Sequence, residues 1–352
     1  MQTFFYSVLH FLTDGLCAFA LYARFSKSGQ WALYVLIYDF CAFVLQMPFG
    51  AFMDSLKRKM PDKAAKLPYR CALAGAVLTV TGAFLHPLIL GLGNALFHVG
   101  GGIGTIEEDR AQEKKGAALG IFVAPGAMGL FLGTWFGQRS DSAGILPLLL
   151  AAAVYLLLFP VFAAVSGKRE KEGAGIRREQ TASALPRRVT RAAVVAASLC
   201  FAVVVLRSYA GFAVVFSWKT GFLYGFLCTL AVVLGKMAGG ILSARFGAAR
   251  IMTASLLLAA LGYIFSDLPA AGIAALFFFN MTMPVTLCMI ADRFRGLEGF
   301  SFGLLTAALF VGVLPFFFGM PSVLPGRWLG AAVSLLSLAL LFVSARLSER
   351  EM

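Results

Sequence analysis

Apolar and polar positions are sharply segregated along this chain. Twelve apolar runs, at roughly 3–23, 31–53, 69–86, 88–104, 116–137, 144–166, 191–213, 220–242, 249–266, 269–291, 298–319 and 327–345, are separated by mostly very short polar connections. Each is close to the ~20 residues a helix needs to cross a hydrocarbon core. Continuous apolar runs with few charges predict helices, because a barrel strand would alternate. Short connections make sequential helices antiparallel neighbours. The longest polar passage, Ser166 to Arg191, falls near the midpoint of 352 residues, with six runs on either side. The expected architecture is an all-α membrane protein: a six-helix bundle at 1–166, a linker at 167–190 and a second six-helix bundle at 191–352.

Composition supports this. The chain is 60% hydrophobic and 13% charged, with mean hydropathy +0.84 and 34 Phe, whereas soluble domains carry about 25% charged residues. A net charge of +13 would suit nucleic acid, but the basic residues sit between apolar runs and form no extended domain. No nucleic-acid partner is expected. Cys17, Cys41, Cys71, Cys200, Cys228 and Cys288 lie one per apolar run without CxxC spacing, which predicts buried free thiols rather than a metal site or disulfides. The first run lacks a basic flank and contains His10 and Asp14, so it is expected to be a transmembrane helix rather than a cleaved signal.

Basic residues assign the orientation. One set of connections, with both ends of the chain, carries 23 Lys and Arg; the other carries 5, and Arg207 and Lys236 lie within apolar runs. The positive-inside rule then places both termini and the central passage in the cytoplasm, in a multi-pass protein of the cell membrane.

The two halves echo each other. Gly50-Ala-Phe-Met-Asp54-Ser-Leu-Lys57-Arg58-Lys59 follows the second run, and Gly240-Ile-Leu-Ser-Ala244-Arg245-Phe246-Gly247-Ala-Ala-Arg250 follows the eighth, 190 positions later. Such a glycine permits close helix approach, and the basic residues can pair with an acid or a helix end to hold one face shut. A plain positive-inside anchor is the simpler reading of either copy alone. Their recurrence in register argues for duplication. This pattern resembles the major facilitator superfamily loop signature G-x-x-x-D-[RK]-x-G-[RK]-[RK], with Ser55, Lys57 and Ala244 departing from it. The resemblance covers essentially the whole chain. It implies a transporter rather than an enzyme, with Gly50, Asp54, Lys57, Arg58, Gly240, Arg245 and Arg250 as gating residues and an asymmetric charge network.

The fifth run, Gly120-x8-Gly129-x3-Gly133-Thr134-x2-Gly137, resembles the superfamily's antiporter signature, with Thr134 and Gln138 in place of Pro and Gly. Gly129, Gly133 and Gly137 share one helix face and Gly120 serves another contact. Generic small-residue packing explains the spacing equally well; the resemblance implies an exporter. Within the superfamily, His10-Phe-Leu-Thr-Asp14, Gly91-Leu-Gly93-Asn94-Ala-Leu-Phe97-His98 and Leu206-Arg207-Ser208 resemble fosmidomycin-resistance-type efflux proteins.

Ionisable groups within the apolar runs are the candidate chemistry, since each costs at least about 2.5 kcal/mol at depth. His10 and Asp14 lie one turn apart on one face, able to take up and release a proton or simply to satisfy each other. Asp39, about 12 Å into the second helix, can bind a proton or cation or pair with Tyr38 or a neighbouring helix. His98 is placed after a glycine-rich turn near the cytoplasmic mouth, as a proton gate or an ordinary interfacial histidine. Arg207 must find a partner or a watery cavity: Asp14 or Asp39 is favoured over an anionic substrate. Lys236 is expected to snorkel. Asn280, Thr282 and Thr286 surround Pro284, where freed carbonyls line a cavity or the helix merely kinks.

No GxxxxGK, GxSxG or HExxH sequence occurs, so an ion gradient is the expected energy source and no cofactor or metal is expected. The reading is a monomeric proton-coupled exporter of a small organic compound of anionic or amphiphilic character, using His10 and Asp14 for coupling. A nutrient importer of the same fold is the alternative. A membrane enzyme or receptor would need a catalytic constellation or soluble domain that the chain lacks.

Overall fold

A computed structural model describes residues 2–113, 115–140, 149, 152–161, 190–320, 322 and 324–349. Ten of its helices are long and apolar enough to cross a membrane, and two shorter ones complete the set. In chain order they are α1 (Gln2–Phe25), α2 (Trp31–Lys59), α3 (Pro61–Leu85), α4 (Pro87–Ala111), α5 (Ala117–Arg139), α6 (Ala152–Val161), α7 (Arg191–Ala213), α8 (Gly221–Phe246), α9 (Ala248–Ile264), α10 (Pro269–Arg293), α11 (Glu298–Phe317) and α12 (Gly326–Leu347). They form two six-helix bundles, α1–α6 and α7–α12. The expected linker lies outside the described residues except for Thr190, whose hydroxyl caps α7 by accepting from Ala193 N at 3.1 Å.

Proline and glycine punctuate these helices where backbone chemistry requires. Pro61, Pro87 and Pro269 occupy first turns, where a missing N–H is no loss. Gly116 starts α5 at φ +100°, a left-handed conformation that allows the chain to reverse from α4. Within the first bundle α3 and α4 form a tight hairpin: Gly75, Gly82, Gly93 and Gly100 each face backbone of the partner helix at distances that exclude a side chain. Lipid offers no hydrophobic drive for helix association, so close backbone contact supplies it through dispersion. Large apolar side chains such as Phe4, Phe52, Phe136 and Leu157 remain exposed around the outside, facing where lipid lies.

Two stretches expected to be loops are helical. α2 runs on to Lys59 and, after Met60 alone, a short 3-10 turn at Pro61–Lys66 leads into α3, so Asp54, Lys57 and Arg58 sit on helix rather than loop. α4 continues to Ala111, because its polar last turns are satisfied by other elements. Glu108 accepts from Thr3 N and Thr3 Oγ1 at 2.7 and 2.6 Å, and Asp109 accepts from Ala118 N and Leu119 N at 3.2 and 3.3 Å. These carboxylates neutralise the orphan donors and positive dipole ends of α1 and α5. Gly100 to Gly104, inside the fourth apolar run, is helix as expected.

The cysteines are unpaired, and all but the half-buried Cys288 are buried.

Candidate functional site

Two pairs spaced by four residues meet at the centre of the first bundle. α1 presents His10 and Asp14; α4 presents Asn94 and His98. His10 Nε2 lies 3.1 Å from Asp14 Oδ2, and His98 Nε2 lies 3.6 Å from Asp14 Oδ1. Asn94 Nδ2 donates to Asp14 Oδ1 and to the Tyr38 hydroxyl of α2, each at 3.1 Å. The two imidazoles stand edge to face with centroids 4.5 Å apart.

The second nitrogen of each ring is anchored to backbone. His10 Nδ1 bonds to the Phe122 carbonyl at 2.7 Å, and His98 Nδ1 to the Asn94 carbonyl at 2.9 Å. A carbonyl oxygen only accepts, so both bonds assign hydrogen to Nδ1. In neutral rings Nε2 is then a bare lone pair, and both lone pairs face the carboxylate. A proton on either Nε2 turns that repulsion into a charge-assisted hydrogen bond. The cluster is therefore arranged to hold a cation. One ligand atom from each of His10, Asp14 and His98 falls within 4.8 Å of the others, so a metal dication also fits by distance.

A break in α5 makes this anchoring possible. Pro125 has no N–H, and its ring displaces the carbonyl one turn back, so the helix interrupts between Val123 and Gly126. Three successive carbonyls are taken up by side chains instead. Ser7 Oγ donates to Ile121 O at 3.1 Å, His10 Nδ1 to Phe122 O, and Lys236 Nζ, from α8 of the other bundle, to Val123 O at 3.3 Å. Gly126 then sits so close to His10 Nε2 and Asp14 Oδ2 that a methyl group would overlap both. Pro125 and Gly126 carry no weight in the sequence reading. The available signal was a Pro-Gly step inside an apolar run.

Restoring the amide tests this dependence. Pro125→Ala should let α5 run on and compete for Phe122 O. Loss of one hydrogen bond to a charged group, about 1.5 kcal/mol, predicts a roughly tenfold fall in pH-driven transport by reconstituted protein. Thermal stability should not fall, because backbone bonds replace those lost.

Other expectations require correction. His98 is not near a helix mouth: α4 extends well beyond it, and the ring is buried against His10. Asp39 is half-buried and makes no ion pair or hydrogen bond with the cluster, because Tyr38 beside it turns toward Asn94. Arg207 pairs with neither Asp14 nor Asp39; Nη2 donates to Thr282 Oγ1 at 2.7 Å and Thr286 Oγ1 at 3.3 Å on α10. Asn280 turns back to Leu276 O at 2.9 Å, and α10 breaks at Met281 ahead of Pro284. Lys236 reaches inward to α5 instead of snorkelling.

No family model and no curated protein matches the chain. Solved structures do. The E. coli fucose:proton symporter FucP aligns with TM-score 0.61 and 15% identity over 98% of this chain and 96% of its own. FucP in the outward conformation aligns at 0.62 and 16% over 96% and 97%. The human organic anion transporter MFSD10 (TETRAN) aligns at 0.60 and 15% over 97% and 99%. The fold is that of the major facilitator superfamily. The narrower likeness to fosmidomycin-resistance-type proteins rests on the short motifs alone.

In this major facilitator fold the bundles are bonded together at the end that carries the basic connections. Asp54 of α2 accepts from Gly299 N at 2.9 Å and Phe300 N at 2.8 Å, capping α11 from the opposite bundle. Gly50, one turn earlier, lies directly against Gly299. Lys57 pairs with Glu107 and lies 3.8 Å from Glu298, Arg110 pairs with Glu298 and donates to Ala291 O, and Arg58 donates to Gly296 O at 3.2 Å.

The related crossing of α8 on α5 places Gly240 against Gly116 O and Gly120 Cα. Ala244 offers no acid there, and Asp109 of α4 caps α5 in its place. Arg245 and Arg250 are exposed and make no ion pair among the described residues. Gly129 and Gly133 pack on the Phe11 and Gly15 carbonyls of α1, and Gly137 on Phe19. At the far end of the α5–α8 crossing the contact is aromatic, Trp135 on Phe222 with centroids 5.0 Å apart.

Proposed function

We propose that this protein is a secondary transporter that moves a small organic compound by alternating access and couples the movement to protons held by His10, Asp14 and His98. The observation that carries the reading is the facing of two anchored imidazoles onto one half-buried carboxylate, which a single proton completes. The two six-helix halves, 1–166 and 191–352, rock about the cluster, with the Asp54 and Glu298 contacts made and broken in each cycle. Lys236 ties the proton site to the second half through the α5 break. The sealed end is the cytoplasmic one by the positive-inside rule, with both termini on that side of the cell membrane and the lipid bilayer around the bundle.

The direction proposed is export in exchange for protons, supported by the helix-five glycine spacing. Import with protons is the second reading, favoured by the fold shared with a fucose:proton symporter. Right-side-out proteoliposomes preloaded with a candidate compound separate the two. Acidifying the outer face should speed exit for an exporter and drive accumulation for an importer. Movement that ignores the pH gradient in either direction would sink proton coupling.

A further inference from the structure

Arg207 is the one buried cation among the described residues whose charge is left mostly unmatched. The residue is 7% exposed, in the last third of α7. Of its three nitrogens only Nη2 has partners, Thr282 Oγ1 and Thr286 Oγ1. Both hydroxyls spend their own hydrogens on backbone, Thr282 on Phe279 O at 3.0 Å and Thr286 on Thr282 O at 2.6 Å, so they offer only neutral lone pairs. Among the described residues Nε and Nη1 have no hydrogen-bond partner, and no carboxylate lies within 4 Å. A buried charge without a counter-ion costs several kcal/mol, and a guanidinium cannot shed its proton to escape that cost.

A second cation lies within the apolar part of the same bundle, Lys236 on α8, and it reaches across the bundle boundary to α5. It has only the neutral Val123 carbonyl as a hydrogen-bond partner. Two cations of the second bundle thus rest on neutral oxygens alone, while Asp14 is already shared by His10, His98 and Asn94.

We propose that Arg207 and Lys236 form an anion-binding site, and that the transported compound carries a carboxylate, sulfonate or phosphonate group received by the unpartnered N–H groups of Arg207. Nε and Nη1 point to different edges of the guanidinium, so each offers its own charged donor to an oxygen of such a group. Thr282 and Thr286 hold Nη2, and with it the plane of the group, in place. Lys236 supplies the second positive charge and can leave the Val123 carbonyl to meet the anion, which links an occupied substrate site to the α5 break and its proton cluster. This rests on the transporter reading above and specifies the chemistry of its substrate.

The test is equilibrium binding to the purified protein in detergent, with no gradient imposed. Benzoate, benzenesulfonate and phenylphosphonate are compared with the neutral benzamide and benzenesulfonamide by thermal shift, which reports binding by mass action. At least one anion should stabilise the protein and neither amide should. Arg207→Met should weaken that anion about tenfold or more, the loss expected for hydrogen bonds to a charged group; Lys236→Met should weaken it less. In anion-free buffer Arg207→Met should fold and be no less stable than the parent, because it removes an unmatched buried charge.

The inference is overturned if no anion exceeds its amide, if the shift survives in Arg207→Met, or if Arg207→Met is strongly destabilised without ligand, as a structural arginine would be. Failure of anion binding with pH-driven transport intact would remove this inference and leave the transporter reading standing. Loss of pH drive with anion binding intact would do the reverse.

Discussion

Asp14→Asn is expected to reduce pH-driven transport to the level of protein-free vesicles. Asparagine keeps the volume and the bond to Asn94, and its amide can donate to an imidazole Nε2. The cluster would then be satisfied without a cation, so the charge that draws a proton between His10 and His98 is gone. Exchange of compound across vesicles without a gradient should continue, because neither Arg207 nor the helices that join the bundles are touched. That separation of drive from movement is the measurement that matters. An Asp14→Asn protein that still accumulates or expels compound along a pH gradient would place coupling elsewhere, with the half-buried Asp39 the next carboxylate to examine.

Gly50→Val should have an effect of similar size by a different route. A Cβ at position 50 would overlap the carbonyl of Gly299 and lie 2.9 Å from Phe300 N. These are backbone atoms at the start of a helix and cannot swing aside. Relief requires α2 and α11 to separate, which also pulls the Asp54 carboxylate away from the amides it caps. Overpacking of this kind costs about 1–3 kcal/mol, equivalent to a roughly 5- to 150-fold change in the population of the state sealed at this end. Ser301, fully buried beside the crossing, provides the reporter. A cysteine placed there should react with a membrane-impermeant maleimide added from the basic side many times faster in the valine variant, and cycling should fail. Unchanged labelling would mean that this crossing does not set the conformational balance.

Much of the fold is legible in the order of residues, and the reason is local. A helix in lipid must satisfy its backbone internally and present apolar side chains outward, so twelve runs of suitable length announce twelve helices. Boundaries fail where polar residues continue a helix: Glu107 to Arg110 look like connection by composition, yet each meets a different partner, so α4 carries on. The candidate site is less legible. His10 and Asp14 are paired by their spacing, but the second imidazole of the cluster looks like an interfacial residue because it sits among glycines and follows what reads as a glycine-rich turn. In a tightly packed bundle those glycines are instead contact points, with Gly101 against Phe122, Gly102 against Phe302 and Gly104 against Tyr6.

The repeated loop pattern illustrates the same division. Gly50 and Gly240, 190 residues apart, identify two equivalent crossings from sequence alone. Asp109, which caps α5 where Ala244 has no acid, carries no sequence signal of that role, because it comes from a different helix. The Arg207 assignment fails in the opposite direction. Intramembrane charge makes pairing with an acid the natural expectation, and only its packing against α10 reveals two threonine hydroxyls and unpartnered N–H groups instead.

By itself the sequence determined the apolar helices, the uneven spread of basic residues over the polar connections and the inventory of ionisable groups placed within apolar runs. Those properties follow from hydrogen-bond satisfaction and transfer energies, which act over one turn or one span. The tertiary structure alone decided which groups meet. Asn94 reaches Asp14 across 80 residues, Phe122 anchors His10 across 112, and Lys236 reaches Val123 across 113. Such partnerships depend on which helix faces turn toward each other and on a single proline break in α5. Neither is encoded in the periodicity of any one segment.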